Sequence, residues 1–120
     1  MTDWNKVLWE NTGKYTYGLE NLVINQWGED TTIHIGSFCS FGTGTTIYLG
    51  GNHRSDWVTT FPFGCRNPDI FNSFPHKTWL APAKSVVIGN DVWIANNVTI
   101  KCGVTIGDGS IIATNSYVIK

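Results

Sequence analysis

Charge is scarce in this chain. Of 120 residues, eight are Lys or Arg and nine are Asp or Glu, for a net charge of −1. That leaves no basic field to attract nucleic acid, so no nucleic-acid partner is expected. No stretch approaches the roughly 20 consecutive apolar residues of a membrane span, so no membrane partner is expected either. Asp3, Lys6 and Glu10 interrupt the first ten positions, which do not read as a secretory signal. Cysteine is sparse too. Cys39, Cys65 and Cys102 are odd in number, far apart and outside any C-x-x-C pattern, which points to reduced thiols in a cytoplasmic setting rather than to a disulfide scaffold or a zinc site. There are four prolines, and all of them fall between residues 50 and 84. The length suits one domain, residues 1–120.

What replaces charge is a set of 13 glycines and many Thr, Asn and Ser residues. Such a surface suits sheets joined by tight turns, so the expected class is all-β. A repeat sets the architecture. From Ile88 the chain divides into hexads that open on Ile88, Ile94, Ile100, Ile106 and Ile112, and Val118 begins a sixth. The position two before each opening is Val or small: Val86, Val92, Val98, Val104, Ser110 and Ser116. An earlier block, led in by Ile33, keeps the pattern from Ile35 through Phe41 to Ile47. A strict six-residue register is the mark of a parallel solenoid: each hexad is a short strand and a turn, three hexads close a coil, and the leading aliphatics stack into one core. Hairpin strands with simple alternation do not keep that register.

The segment from about residue 50 to 84 breaks phase. It holds every proline and the aromatics Trp57, Phe61, Phe63, Phe71, Phe74 and Trp79. Proline prevents ladder pairing, so the chain is expected to leave the solenoid here and rejoin it. It ends at Val118-Ile119-Lys120 still in register, which implies either a trimmed chain or a partner over the open end.

Hexads interrupted by Gly50-Gly51-Asn52-His53-Arg54-Ser55-Asp56-Trp57, followed by Thr59-Thr60-Phe61-Pro62-Phe63, closely resemble the xenobiotic acetyltransferases. These are the streptogramin- and chloramphenicol-type branch of the hexapeptide-repeat acyltransferases. Lys14-Tyr15-Thr16-Tyr17-Gly18 resembles the stretch near the start of that family's repeats, and Ile88-Gly89-Asn90-Asp91-Val92-Trp93 its first coil after the loop. The resemblance spans residues 13–120. It implies a left-handed parallel β-helix with a looped-out segment, a homotrimer with its sites between subunits, acetyl-CoA as co-substrate and a small-molecule acceptor such as an antibiotic or a sugar. Members of the family continue into a C-terminal tail that helps bind CoA, and this sequence stops before it. The alternative to an enzyme is therefore a trimeric β-helix module that keeps the fold without catalysis.

A thioester is already an activated acyl donor. Its transfer needs a base for the acceptor's proton and donors for the developing oxyanion, not a metal or a covalent nucleophile. By the resemblance His53 is that base, since imidazole titrates near physiological pH; from the residues alone, a loop histidine held by backbone groups is the favoured reading. Asp56 is open between orienting His53, pairing with Arg54 and serving a turn. Tyr15, Tyr17, Asn52, Trp57 and Phe61 are candidates for the acceptor pocket, each with packing or turn chemistry as its other reading. For CoA the candidates are Trp93 at a coil corner, the small residues Ala95 and Thr114, and Lys101 and Lys120 as point charges for phosphates. No metal is expected: His34, His53 and His76 are the three histidines and no H-x-x-x-x-H pair exists. A cysteine acyl-enzyme is not expected either, because Cys39 and Cys102 fall in repeat strands with no histidine beside them in sequence.

Overall fold

Two inward positions in every six residues build the core. In the computed structural model, which describes residues 3–52 and 83–120, the aliphatic that opens each hexad and the residue two before it point to the interior. Val86, Val92, Val98 and Val104 are buried, as are Ile88, Ile94, Ile100 and Ile106. Ile33, Ile35, Cys39, Phe41, Thr45 and Ile47 continue the same columns in the preceding coil. Burying each such aliphatic contributes about 1.5–3 kcal/mol. The one buried polar side chain of the series, Thr45, donates its hydroxyl to the Gly42 carbonyl at 3.2 Å.

The strands are short, because a turn follows every pair of inward residues. They run β1 (Leu22–Asn25), β2 (Ile33–Ile35), β3 (Ser40–Phe41), β4 (Thr45–Tyr48), β5 (Val86–Ile88), β6 (Trp93–Ile94), β7 (Thr99–Ile100), β8 (Thr105–Ile106), β9 (Ile111–Ile112) and β10 (Tyr117–Val118). Every pairing is parallel, and each strand pairs with the one three places on. The chain thus visits three faces in rotation: β2-β5-β8, then β3-β6-β9, then β1-β4-β7-β10. Isolated bridges from Thr12 to Ile35 and from Tyr17 to Ser40 place residues 12–25 as a further coil at the start.

Corners stack in columns. Tyr15, Phe38, Asp91 and Gly109 occupy one corner, all with positive φ. Gly44, Asn97 and Asn115 occupy the next. Side chains tie one coil to another there. The Asn90 Oδ1 accepts from Ser37 N at 2.8 Å, the Asp108 Oδ1 from Asn90 N at 2.6 Å, and the Asn96 Oδ1 from Thr43 N at 2.9 Å. These bonds satisfy turn amides that no ladder reaches.

One helix, α1 (Trp4–Asn11), precedes the β coils, capped by the Asp3 side chain on Lys6 N. Leu8 joins the core, and the Asn11 amide donates to the Ile33 carbonyl at 3.0 Å, fixing the helix end to β2. Trp93 lies in β6, not at a corner, with its ring outward. Cys102 lies in the turn after β7, while Cys39 is buried just before β3; both are free thiols.

Register measures the excursion. Contacts between the last two coils join residues 18 apart, whereas those spanning the break join residues 53 apart. The difference, 35 residues, matches the length of the out-of-phase segment from 50 to 84. A second, smaller insertion is present. The first two coils are joined at a separation of 23, five more than 18. Because Thr12, Tyr17 and Leu22 keep that separation from their partners, all five extra residues fall between β1 and β2.

Candidate active site

Both insertions leave from the same corner, where the β1-β4-β7-β10 face turns into the β2-β5-β8 face. There the short loop, residues 26–32, sits under the root of the long one. The Leu49 amide donates to the Asn25 carbonyl at 2.8 Å. The Gln26 side chain donates to the Thr31 carbonyl at 2.8 Å, and the Thr31 hydroxyl in turn donates to the Leu49 carbonyl. These bonds hold the loop against the end of β4.

Two side chains of that loop meet the exit point. The Glu29 carboxylate divides its oxygens, with Oε1 accepting from Trp27 N at 2.7 Å and Oε2 from Gly51 N at 2.8 Å. The Trp27 ring stacks on Tyr48, with centroids 6.3 Å apart and planes at 10°. It also covers Gly51: a Cβ there would fall 2.4 Å from the indole, at a φ of 84° that L side chains rarely adopt. A Cβ on Gly50 would fall 2.0 Å from the Glu29 carboxyl carbon. The Gly50-Gly51 pair is therefore shaped by Trp27 and Glu29. Beyond it the Asn52 amide donates to the Cys102 thiol at 3.3 Å. Lys84, where the chain returns, packs beside Gly103 of the same turn.

His53, Trp57 and Phe61 lie outside the described residues, as do Asp56, Cys65 and His76. Of the other candidates, Asn52 stands at the root of the excursion. Lys101 follows β7 and donates its backbone N–H to the Val118 carbonyl at 2.9 Å, while Cys102 and Lys120 stand one coil apart in the same column. Tyr17 and Trp93 share the outward row of a different face, in register through Ser40, and are 67% and 55% exposed. Tyr15 stacks on Phe38 at the neighbouring corner, 5.3 Å between centroids. Ala95 and Thr114 flank the corner that follows β6 and β9. Within one chain the candidates thus divide among three zones: Asn52 with the two lysines, Tyr15 with Tyr17 and Trp93, and Ala95 with Thr114.

Trp27 and Glu29 escaped the reading of the sequence. Their signal was the spacing of 23 instead of 18 between the first coils, which is visible only once Thr12, Tyr17 and Leu22 are known to be coil positions. Among the described residues no three His, Cys, Asp or Glu side chains gather to hold a metal ion, and no helix is long and apolar enough to cross a membrane.

Residues 85–120 match the family model described as bacterial transferase hexapeptide (six repeats). Over 88 residues, 72% of this chain and 42% of the relative, the sequence is 43% identical to a chloramphenicol acetyltransferase of Agrobacterium fabrum strain C58. It is 47% identical over 87 residues to a probable macrolide acetyltransferase of Lysinibacillus sphaericus, 72% of this chain and 48% of that one. With the galactoside O-acetyltransferase of Escherichia coli strain K12 it shares 54% identity over 108 residues, 90% of this chain and 43% of that protein. The chain spans less than half the length of these curated relatives.

Proposed function

We propose, from its similarity to named acetyltransferases over 72% of its length and the hexapeptide repeats of residues 85–120, that the chain belongs to an enzyme of the xenobiotic acetyltransferase branch transferring acetyl from acetyl-CoA to a hydroxyl or amine of a small acceptor. The observation that carries the reading is the 43% identity to a named acetyltransferase across 72% of the chain. The break of 35 residues at one corner of an otherwise regular coil supports it, because that break carries the Asn52-His53 motif. Coil handedness is proposed to be left-handed, the assembly a homotrimer and the setting cytoplasmic.

Acetyl-CoA, as co-substrate, brings the activated thioester. His53 removes the proton of the attacking hydroxyl or amine as its oxygen or nitrogen bonds to the thioester carbonyl carbon. Backbone N–H groups stabilise the tetrahedral oxyanion. When the carbon–sulfur bond breaks, the protonated His53 returns the proton to the leaving CoA sulfur, so free thiol and acetylated acceptor form in equal amounts. Asn52, Tyr15, Tyr17, Trp57 and Phe61 are the proposed acceptor contacts. Trp93, Ala95, Lys101, Thr114 and Lys120 are those for CoA, with Ala95 and Thr114 small enough to admit the slender pantetheine arm and the two lysines available to phosphate. Tyr15, Tyr17 and Trp93 lie on a different face from Asn52, so a site using both would draw them from neighbouring subunits, as in the homotrimer that the resemblance implies.

The test mixes the protein with acetyl-CoA and chloramphenicol, a macrolide or a galactoside, and follows the CoA thiol with a chromogenic disulfide. Release is expected with at least one acceptor, falling at least 100-fold in His53→Ala, the lower end of the about 10²–10⁴-fold that a general base contributes. Sedimentation is expected to give three times the chain mass of 13.3 kDa. Absent release together with absent acetyl-CoA binding in calorimetry refutes the enzyme and favours a structural solenoid module.

A further inference from the structure

The corner where the short loop sits closes elsewhere without any loop. Two coils later, Lys101-Cys102-Gly103 turns the same corner and leads directly into β8, with no added residue and no carboxylate. The five extra residues between β1 and β2 are thus not needed to close the solenoid. What they add is confined to one place: the Trp27 ring over Gly51 and the Glu29 carboxylate on Gly51 N. Gly51 is two residues before His53 in the chain.

We propose that Glu29 is a positioning residue for His53: by holding Trp27 N and Gly51 N on separate oxygens, it fixes the direction in which the chain leaves the coil. The inference rests on the acetyl-transfer reading. A carboxylate suits this task because it only accepts, and each oxygen meets one N–H. An amide of the same shape presents one oxygen and one NH2, so in Glu29→Gln a donor faces a donor and one bond is lost. Trp27, fixed by the other oxygen and by Tyr48, closes the remaining side of Gly51 and leaves the carboxylate as the adjustable contact. Displacing a reacting group by an ångström costs about 10²-fold in rate.

The experiment compares wild type, Glu29→Gln, His53→Ala and the exposed control Glu20→Gln, each assayed about 20 °C below its own unfolding midpoint. CoA release is measured with the same acceptors, and amide hydrogen exchange by mass spectrometry. Glu29→Gln is expected to lower kcat 10- to 100-fold while leaving KM for acetyl-CoA within twofold. Exchange is expected to quicken at least tenfold in peptides covering residues 50–53 and to stay unchanged in those covering β6 to β9, with Glu20→Gln like wild type throughout. If Glu29→Gln keeps full kcat while His53→Ala is inactive, the positioning role fails and the acetyl-transfer reading stands. Exchange that quickens equally in all coils also overturns it, since the substitution then acts through global stability. If wild type releases no CoA with any acceptor, the reading fails and the positioning role falls with it.

Discussion

At Gly51 a backbone φ of 84° and the face of the Trp27 ring act on one position together. Gly51→Ala therefore meets both left-handed strain and a clash with the indole. It is expected to lower unfolding free energy by about 1–3 kcal/mol in urea titration. Asn97 holds a φ of 56° at its corner and separates strain from contact. Asn97→Gly is expected to stay within about 0.5 kcal/mol of wild type, whereas Asn97→Ala loses about 1 kcal/mol in the same titration. Some of this was legible from residue type: glycine and asparagine mark turns because they tolerate positive φ. Tyr15 and Phe38 were not, since their stacking at a positive-φ corner sets two bulky residues where sequence preference puts none. The Glu29 contact was not legible either, because its partner lies 22 residues away.

Each two-residue strand assigns its side chains to opposite sides, and that alternation gives the element its energetics. In β7, Ile100 is fully buried while Thr99 is only partly so. Ile100→Ala is expected to lose about 2–5 kcal/mol, and Thr99→Ala no more than about 0.5 kcal/mol, by chemical denaturation. This contrast follows from the hexads alone: the Val-x-Ile spacing fixes which residue faces inward, and the observed core keeps it from Val86 to Ile106. Helix α1 was missed for an opposite reason. Eight residues carry too short a pattern to announce a helix, and its Asp3 cap and buried Leu8 gain meaning only against the coil they touch.

For the whole molecule, the register makes the long segment separable from the coil that carries it. Removing residues 51–85 joins Gly50 to Val86. The chain then reads Tyr48-Leu49-Gly50-Val86-Val87-Ile88, matching Lys101-Cys102-Gly103-Val104-Thr105-Ile106 one coil on. The excised protein is expected to keep a β-type circular dichroism spectrum and a cooperative thermal transition, and to lose CoA release entirely. Loss of the cooperative transition would mean that the coils depend on the segment for stability. The sequence by itself determined the six-residue period, the inward columns and the 35-residue length of the break, because each follows from steric preferences repeated at fixed spacing. The tertiary structure alone decided that the two insertions share a corner. Coiling brings residues a full turn apart into contact, so Glu29 reaches Gly51 through the stacking of coils, and no local pattern in the chain records that meeting.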